Sequence, residues 1–510
     1  MPALHLSTIL TRHLSKLLAH ITHVSKEYSG KGHTLLFTLS SNFEDPHDLQ
    51  AVVDKLSKFN GADASERDVG KEKMHMGHTI GCLADSFSST TFEEPPISRV
   101  SNGDSLSCSI GIFDSNLCVP FHSTLPGRTQ PQVGRWHSFR KKNEIANPSG
   151  AAEDRNNGID WEAIWNRSST STASSIEELL PETLRQVQSS RIKALFSLSA
   201  PYPDTLTSVL ANTLPNVPSL TLIAAPTHFI TGRGVTLFMD GRIFGEGAIG
   251  LALLDEPLTV DGNKAEKITC STDFIGMRRL SGPMTVTRFF ASIFNLLTVY
   301  YHLSREGNMI NELDSSNPTK LLLRSLDLAG ISPTSRSQSS TITTTFKDDE
   351  LFALGIVGPD SQILRTYKIT AGDPSSRGGS ISLDAPTAPD VGSVVQFLHI
   401  PSNSPIKISA SFLPGSHSEG ARKQVLACVT VPEPSASESV NILTESSEST
   451  SHILEGTFLS PSTRGFVLSQ PSSKMQSTAS SDPGAEEPIE PSRSPWTSSL
   501  PGGAASLQLA

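Results

Sequence analysis

Short apolar runs, each bounded by turn-forming residues, recur along this chain of 510 residues. The runs at 33–40 and 193–200 have the length of a buried strand, and glycine, asparagine or proline stands beside them. In the segment 234–255, two further runs flank Asp240-Gly241. Asp-Gly between apolar runs predicts a tight hairpin, because the turn needs positive φ. The glycines in the second run indicate bulges or close approach of the backbone.

Helical spacing of apolar residues marks segments between these runs. In 45–59 apolar residues recur every three or four positions, and either Asp45 or Asp48 is placed to cap the start. The segment 317–330 begins with Asn-Pro and ends with Gly, which suit the cap, the first residue and the end of a helix. Strand, helix and strand in succession are typical of an α/β or α+β domain.

The first 26 residues combine basic side chains with leucines at helical spacing. Arg12, Lys16 and Lys26 all precede the first acidic residue, Glu27. Such a segment is either a helix that packs on the domain or a mitochondrial presequence, and the pattern suits both. No apolar run reaches the roughly 20 residues that span a bilayer, so we expect neither a membrane anchor nor secretion. The apolar residues at helical spacing are Leu6, Leu10, Leu14, Leu17, Leu18 and Ile21.

Charge and cysteine content narrow the range of partners. The net charge is −10 and no basic block occurs, so binding of nucleic acid through phosphate neutralisation is not expected. The five cysteines are widely spaced and form no CxxC, which argues against a disulfide framework and against a cysteine-rich zinc site. Reduced thiols in a reducing compartment are the simpler interpretation.

Motifs that carry catalytic chemistry are absent from the sequence. There is no GxSxG, no HExxH, no P-loop and no GxGxxG that leads from a strand into a helix, so we predict neither an enzyme nor a cofactor. His75 and His78 lie near Cys82, but no second pair of metal ligands accompanies them. Surface histidines beside a core cysteine explain this segment, and Cys82 is expected to be buried rather than to act as a nucleophile.

Two glycine-containing loops are the candidate ligand sites. The first is Gly232, Arg233 and Gly234, ahead of a predicted strand. The second lies between two predicted strands. Glycines allow a ligand to approach the backbone, an arginine offers a fork to a carboxylate, and an aspartate accepts hydrogen bonds from an amine. The alternative is a pair of tight turns with solvated charges. The second loop contains Gly372, Asp373 and Arg377.

Several segments together resemble the FIST family, named for F-box and intracellular signal transduction. In the first half these are IGCL, GRTQPQVGRWH and LIAAPTHFITGRGVTLFMDGRIFGEGAIGLAL. In the second half GNMINELD, ITAGDPSSRGGSISLD and SVVQFLHI resemble the FIST C-terminal domain, and TFLSPSTRGFVLS with PWTSSLPGG resembles its last strands. The resemblance implies an α+β protein with two FIST-type domains, whose stacked, mostly antiparallel sheets are flanked by helices.

The resemblance also implies a function. FIST domains are regarded as sensory modules for small ligands such as amino acids, so we expect a non-catalytic ligand-binding or signalling protein in the cytoplasm or the nucleus. Some members carry an F-box and select substrates for ubiquitin ligases. Residues 1–32 leave no room for an F-box here, so that alternative role, as an adaptor, would need a separately encoded protein partner.

The predicted domain organisation follows the same resemblance. A leader or N-terminal helix spans 1–32, and the FIST N-terminal domain spans 33–256. The FIST C-terminal domain spans 271–510. The first domain holds an insert at 138–175 that is predicted to be disordered, and the second holds a Ser/Pro-rich low-complexity region at about 403–490.

One apolar, aromatic segment interrupts the second domain. Residues 289–305, FFASIFNLLTVYYHLSR, separate two alternating runs that would form a hairpin if they were joined. Two explanations stay open. The segment is either a retained intron or gene-model error, or a genuine helix that is buried or faces a partner.

Overall fold

The computed structural model describes residues 3–60, 77–87, 90–92, 105–125, 177–255, 268–289, 308–331, 350–372, 379–385, 387–401, 406–408, 424–433, 451–471 and 495–509. The predicted insert at 138–175, residues 290–305 of the apolar segment and much of 403–490 lie outside these residues. The described residues form an α+β structure, as predicted.

The strands of the described residues are β1 (Ala3–Thr11), β2 (Thr34–Ser40), β3 (Thr79–Ala84), β4 (Thr90–Phe92), β5 (Leu106–Phe113), β6 (Cys118–Ser123), β7 (Ile192–Ser199), β8 (Ser219–Ile223), β9 (Leu237–Met239), β10 (Arg242–Phe244), β11 (Ala248–Leu254), β12 (Thr269–Phe274), β13 (Arg278–Arg279), β14 (Met284–Phe289), β15 (Met309–Leu313), β16 (Leu351–Val357), β17 (Ile363–Gly372), β18 (Ile381–Leu383), β19 (Val394–Ile400), β20 (Ile406–Ile408), β21 (Gln424–Thr430), β22 (His452–Glu455), β23 (Thr457–Ser462), β24 (Phe466–Ser469), β25 (Trp496–Ser498) and β26 (Gly503–Leu509). The helices are α1 (Leu14–Tyr28), α2 (Pro46–Ser57), α3 (Glu182–Arg185), α4 (Asp204–Thr213), α5 (His228–Thr231) and α6 (Pro318–Leu328), with 3-10 turns at Lys58–Asn60 and Ser189–Arg191.

These strands build three open sheets and one closed ring. The first sheet has the order β10-β9-β3-β2-β5-β1-β22, and the second has the order β25-β24-β8-β7-β11-β6. The small sheet has the order β12-β26-β21-β23. The barrel is the ring β19-β14-β15-β18-β17-β16, which closes because β16 pairs with β19 as well as with β17. Strand β13 pairs antiparallel with β19, next to the ring. Strands β20 and β4 form a separate two-stranded sheet.

Helices and sheets stack in layers around three apolar cores. On the outer face of the first sheet, α1 and α2 pack through Leu17, Ile21 and Val52. The inner face packs against the second and small sheets, and α4 covers the far side of the second sheet. The edge-to-face contact of Phe196 with Phe458, 5.6 Å between ring centroids, joins the second sheet to the small sheet. Stacked sheets with helices on the outside are thus observed.

The barrel has its own core, and α6 packs on it. Val286, Ile310 and Phe397 are fully buried in this core, which Leu322 and Leu326 of α6 also enter. The bounds of α6 are as predicted. The side chain of its capping residue, Asn317, accepts a hydrogen bond from the Lys320 amide at 3.0 Å, and Gly330 follows the helix with φ +72°. Strands β14 and β15, which stand on either side of residues 290–305, pair antiparallel.

The predicted Asp-Gly hairpin is present, but the chain after it forms two strands instead of one. Asp240 and Gly241 have φ values of 50° and 77°, and β9 pairs with β10 across them. The chain then leaves the first sheet at Gly245–Gly247 and enters the second as β11. At Gly250 the backbone approaches closely, because a Cβ there would lie 2.4 Å from the Phe121 ring. The glycines therefore mark a change of sheet and a tight contact.

The predicted N-terminal helix is wrong for residues 3–11, which form β1 between β5 and β22. The helix begins only at Leu14. Leu6 and Leu10 are four residues apart, and this even spacing places them on one face of a strand as well as on one face of a helix. The buried hydroxyls of Ser7 and Thr8 stand between them. Residues 3–28 accordingly supply a strand of the first sheet and a helix of the layer that covers it.

The boundary at 256–271 does not divide the sheets. Strand β22 lies in the first sheet, while β24 and β25 lie in the second, although all three follow the boundary. The low-complexity prediction for 403–490 is also wrong in part, because β21 is central in the small sheet and buried from Val425 to Thr430. Its five apolar residues stand between long polar stretches, which hid the strand from a compositional argument.

Candidate functional site

The carboxyl ends of strands from three sheets meet at one edge of the molecule. The Ala225 amide, beyond β8, donates to Leu83 O at 3.1 Å, and the Ile223 amide donates to Gly465 O at 3.1 Å. The Val431 amide donates to Ser462 O at 3.0 Å. The segments that follow β3, β8, β21 and β23 are therefore neighbours. Ligands of open α/β sheets bind outside the carboxyl ends of the strands. This edge is therefore a candidate ligand site.

Asp85 stands at the end of β3 in this edge. Its Oδ2 accepts hydrogen bonds from the Thr463 amide at 2.7 Å and from the Thr463 hydroxyl at 3.0 Å. Burial raises the pKa of the Asp85 carboxyl, while the two bonds from Thr463 and the positive charge of Arg464 oppose that rise. Oδ1 accepts no hydrogen bond from any residue that the structure describes.

A rigid turn between β23 and β24 holds Arg464 beside Asp85. The hydroxyl of Ser462, which is fully buried, donates to Ile223 O at 2.7 Å and accepts from the amides of Arg464 and Gly465. Gly465 has φ +87°, and a Cβ there would lie 1.7 Å from Ser498 O, so the turn excludes any other residue. The guanidinium of Arg464 is half-buried and bonds to none of the described residues. We call Asp85, Ser462, Thr463 and Arg464 the carboxyl-end site.

The predicted loop Gly232–Gly234 lies next to the end of β3. Gly232 ends α5 with φ +73°. Thr227 holds the loop through three hydrogen bonds. Its hydroxyl donates to Arg233 O at 3.1 Å and bonds the Thr236 hydroxyl at 2.8 Å, while its amide donates to Gly234 O at 3.1 Å. The Leu83 amide in turn donates to Thr236 O. The Arg233 side chain is exposed, and its aliphatic part covers Gly245.

The second predicted loop belongs to the barrel. Gly372 ends β17, and a Cβ there would meet the Thr319 hydroxyl of α6 at 3.1 Å. The Thr319 hydroxyl donates to Ser380 O at 3.0 Å, which ties β18 to the start of the helix. Asp373 and Arg377 lie outside the described residues. The two predicted loops therefore belong to different sheets, and the first is the one beside the carboxyl-end site.

The histidine and cysteine residues near residue 80 serve separate purposes. His78 Nδ1 lies 2.8 Å from Asp240 Oδ2, and this hydrogen bond raises the pKa of His78 and pins the β9–β10 hairpin to β3. Cys82 is fully buried, and burial raises the pKa of its thiol, as it does for Cys428. This matches the expectation of a buried cysteine. His75 lies outside the described residues, which contain no cluster of three or more metal-ligating side chains.

Sequence reasoning missed the carboxyl-end site because its members are 378 residues apart in the chain. The local signal was weak. Ser-Thr-Arg-Gly interrupts an apolar stretch, and this indicates a turn rather than a site.

None of the helices within the described ranges has the length and apolarity needed to cross a membrane.

No family model, no curated protein and no solved structure matches this chain. The resemblance to the FIST family therefore stays a prediction.

Proposed function

We propose that this protein is a non-catalytic module that binds a small zwitterion of the α-amino acid class at the carboxyl-end site. The single observation that carries the proposal is the juxtaposition of two opposite charges with free bonding capacity. Asp85 keeps one carboxylate oxygen open, and Arg464 is held beside it by a turn that the Ser462 hydroxyl stabilises. An α-amino acid presents the complementary pair, an ammonium and a carboxylate, both bonded to one carbon atom.

Each end of such a ligand has a matching partner. The Asp85 Oδ1 accepts a hydrogen bond from the ammonium group, and charge-assisted bonds of this kind are roughly twice as strong as neutral ones. The planar guanidinium of Arg464 matches a carboxylate in a bidentate manner. On the neighbouring loop, Arg233 supplies a further positive charge, while Gly232 and Gly234 allow the ligand to approach the backbone. A ligand at the second predicted loop, which contains Gly372, Asp373 and Arg377, remains a separate proposal.

The chemistry of the cysteines supports an intracellular, non-catalytic role. All five are free thiols, which are typical of proteins in reducing compartments. Burial raises the pKa of Cys108 to about 12, and the other four thiols are shifted in the same direction by burial. Thiols of this kind do not supply the thiolate that nucleophilic catalysis needs.

Calorimetric titration of the full chain with the common amino acids tests the proposal. We expect one side-chain class to bind, and Arg464→Gln to weaken its binding at least tenfold, because this change removes a guanidinium that bonds to none of the described residues. Arg242→Gln, on the exposed strand β10, is the matched control and leaves binding unchanged. Thermal unfolding gives a second readout, since ligand at a hundredfold excess over Kd stabilises the folded state by about 2.7 kcal/mol. Absence of binding at millimolar concentrations of every amino acid contradicts the proposal.

A second candidate function is that of a protein-binding adaptor, including one in substrate selection for a ubiquitin ligase. Phe229 on α5 is fully exposed, with Ile230 beside it 39% exposed. Exposed aromatic side chains of this kind often anchor protein interfaces. Co-purification with a Skp-type adaptor, lost in Phe229→Ser and retained in Arg464→Gln, would favour this function over ligand sensing. Failure of the chain to retain any such adaptor argues against it.

A further inference from the structure

A groove runs along α6, far in sequence from the carboxyl-end site. It lies between this helix and the segment that joins β13 to β14, and its volume is about 390 Å³. Pockets that hold small molecules span roughly 300–1,000 Å³, so the groove has the size of a ligand site. The residues that line the groove include Leu280, Met284, Leu321, Arg324 and Leu328.

The walls of the groove are apolar, and they include an exposed leucine. Leu328 ends α6 and is 80% exposed, while Leu322 and Leu326 of the same helix are buried against the barrel. Leu321 and Leu328 are seven residues apart, which places them on one face of the helix. The helix therefore carries a second apolar stripe, beside the stripe that holds it on the barrel. Met284, at the start of β14, and Leu280 face it across the groove.

The polar groups of the lining are already bonded, with one exception. The Ser325 hydroxyl donates to Leu321 O at 2.8 Å. The Ser281 hydroxyl donates to Gly282 O at 2.9 Å and accepts from the Phe397 amide at 3.1 Å. Arg324 is the cation of this lining, and its guanidinium bonds to no residue in the described ranges. The groove thus offers apolar contact along its length and one positive charge at its rim.

We propose that the groove binds an amphiphilic monocarboxylate, such as a medium-chain fatty acid or an arylalkanoate. The carboxylate lies on the Arg324 guanidinium, and the apolar tail lies between Leu321, Leu328 and Met284. A single cation matches a single negative charge better than a phosphate or a dicarboxylate. From Leu321 to Leu328 the helix rises by about 10 Å, which matches the length of an extended octanoate or decanoate. This site is independent of the amino-acid site, because it shares no residue with it.

A homologous series of carboxylates tests the apolar half of the proposal. The full chain is titrated by calorimetry with hexanoate, octanoate and decanoate, below their micelle concentrations. Burial of each additional methylene raises affinity about fourfold, so decanoate binds more than tenfold tighter than octanoate. Leu328→Ser, a change on an exposed side chain, reduces this increase. No binding of decanoate at millimolar concentration, or affinities that do not depend on chain length, would overturn the proposal.

The charged half is tested with head-group analogues and matched variants. Octanol and octylammonium, which lack the negative charge, are expected to bind at least tenfold more weakly than octanoate. Arg324→Gln is expected to weaken octanoate at least tenfold, whereas Lys320→Gln, which removes an exposed positive charge from the same helix, leaves it unchanged. Equal binding of octanol and octanoate, or an unchanged Arg324→Gln variant, overturns the assignment. Self-association that Leu328→Ser abolishes would assign the groove to a second copy of the chain and would also overturn it.

Discussion

Acidification is expected to destabilise the packing of α1 on β1 through one buried network. The Ser7 hydroxyl, which is fully buried on β1, bonds His5 Nε2 at 2.9 Å and His20 Nε2 of α1 at 3.0 Å. Burial lowers the pKa of His20 from 6.5 to about 4, and the neighbouring imidazoles of His5 and His23 act in the same direction. The carboxylate of Glu455 on β22 opposes these effects. Burial also lowers the pKa of His5.

The sign and size of the effect follow from proton linkage. In the folded state His20 stays neutral down to about pH 4, whereas in the unfolded chain it takes up a proton near pH 6.5. Between these values the unfolded state binds more protons, so the free energy of unfolding falls as the pH falls. The difference corresponds to at most about 3.4 kcal/mol at 1.36 kcal/mol per pH unit. Because the side chain is half-buried, solvent screening reduces this to about 1–2 kcal/mol.

Urea unfolding at pH 7 and at pH 4.5 measures the effect. Carboxylates elsewhere contribute to acid destabilisation in every variant. The quantity compared between variants is therefore the loss of unfolding free energy from pH 7 to pH 4.5. We expect His20→Gln, whose amide retains a hydrogen bond to Ser7, to lose about 1–2 kcal/mol less than the unsubstituted protein over this range. His47→Gln, which removes an exposed histidine on α2 that does not act on His20, is the matched control and keeps the full loss. Equal losses in His20→Gln and in the unsubstituted protein would refute the reasoning.

Three further substitutions test the packing. Gly250→Ala is expected to lower the free energy of unfolding by about 1–3 kcal/mol, because the new methyl meets the Phe121 ring at 2.4 Å; an unchanged urea midpoint contradicts the close approach. Asp240→Asn should destabilise by up to about 1 kcal/mol at pH 6, and by less at pH 9, since the raised pKa of His78 adds stability below 6.5 that is lost as the pH rises through the folded pKa. A pH-independent effect on thermal unfolding would contradict that pairing. His399→Leu is expected to raise stability by about 1 kcal/mol, because both ring nitrogens are buried without a hydrogen-bond partner among the described residues; a lower melting temperature argues against it.

Local patterns in the sequence predict local structure well in this chain. The Asp240-Gly241 hairpin and the helix from Pro318 to Leu328 follow from turn and cap chemistry, which depends on adjacent residues. Strand β1 was mistaken for a helix because a spacing of four suits both structures. Strand β21 was missed because a short apolar run between Ser- and Pro-rich stretches has the average composition of a linker.

The candidate site was harder to predict, since it depends on contacts between remote segments. The loop at Gly232–Gly234 was found from its glycines and its arginine, and the structure places it beside the end of β3. Asp85 and Thr463 gave no such signal, because neither belongs to a motif with a fixed spacing. Their hydrogen bonds exist only after β23 has packed against the strands of the first half. The positions of Asp85 and Thr463 in the sequence therefore do not indicate that the two residues are in contact.

The sharing of sheets between the two ends of the chain has a consequence for its biosynthesis. Strands β22 to β26, which are synthesised after the other described strands, complete all three open sheets, and β24 lies directly beside β8. The sheet edges of the first half of the nascent chain must therefore stay unpaired until these strands have been translated. Long-range pairing of this kind folds slowly, and uncovered edges favour aggregation in the interval. Molecular chaperones that shield strand edges during synthesis should consequently raise the yield of the folded protein.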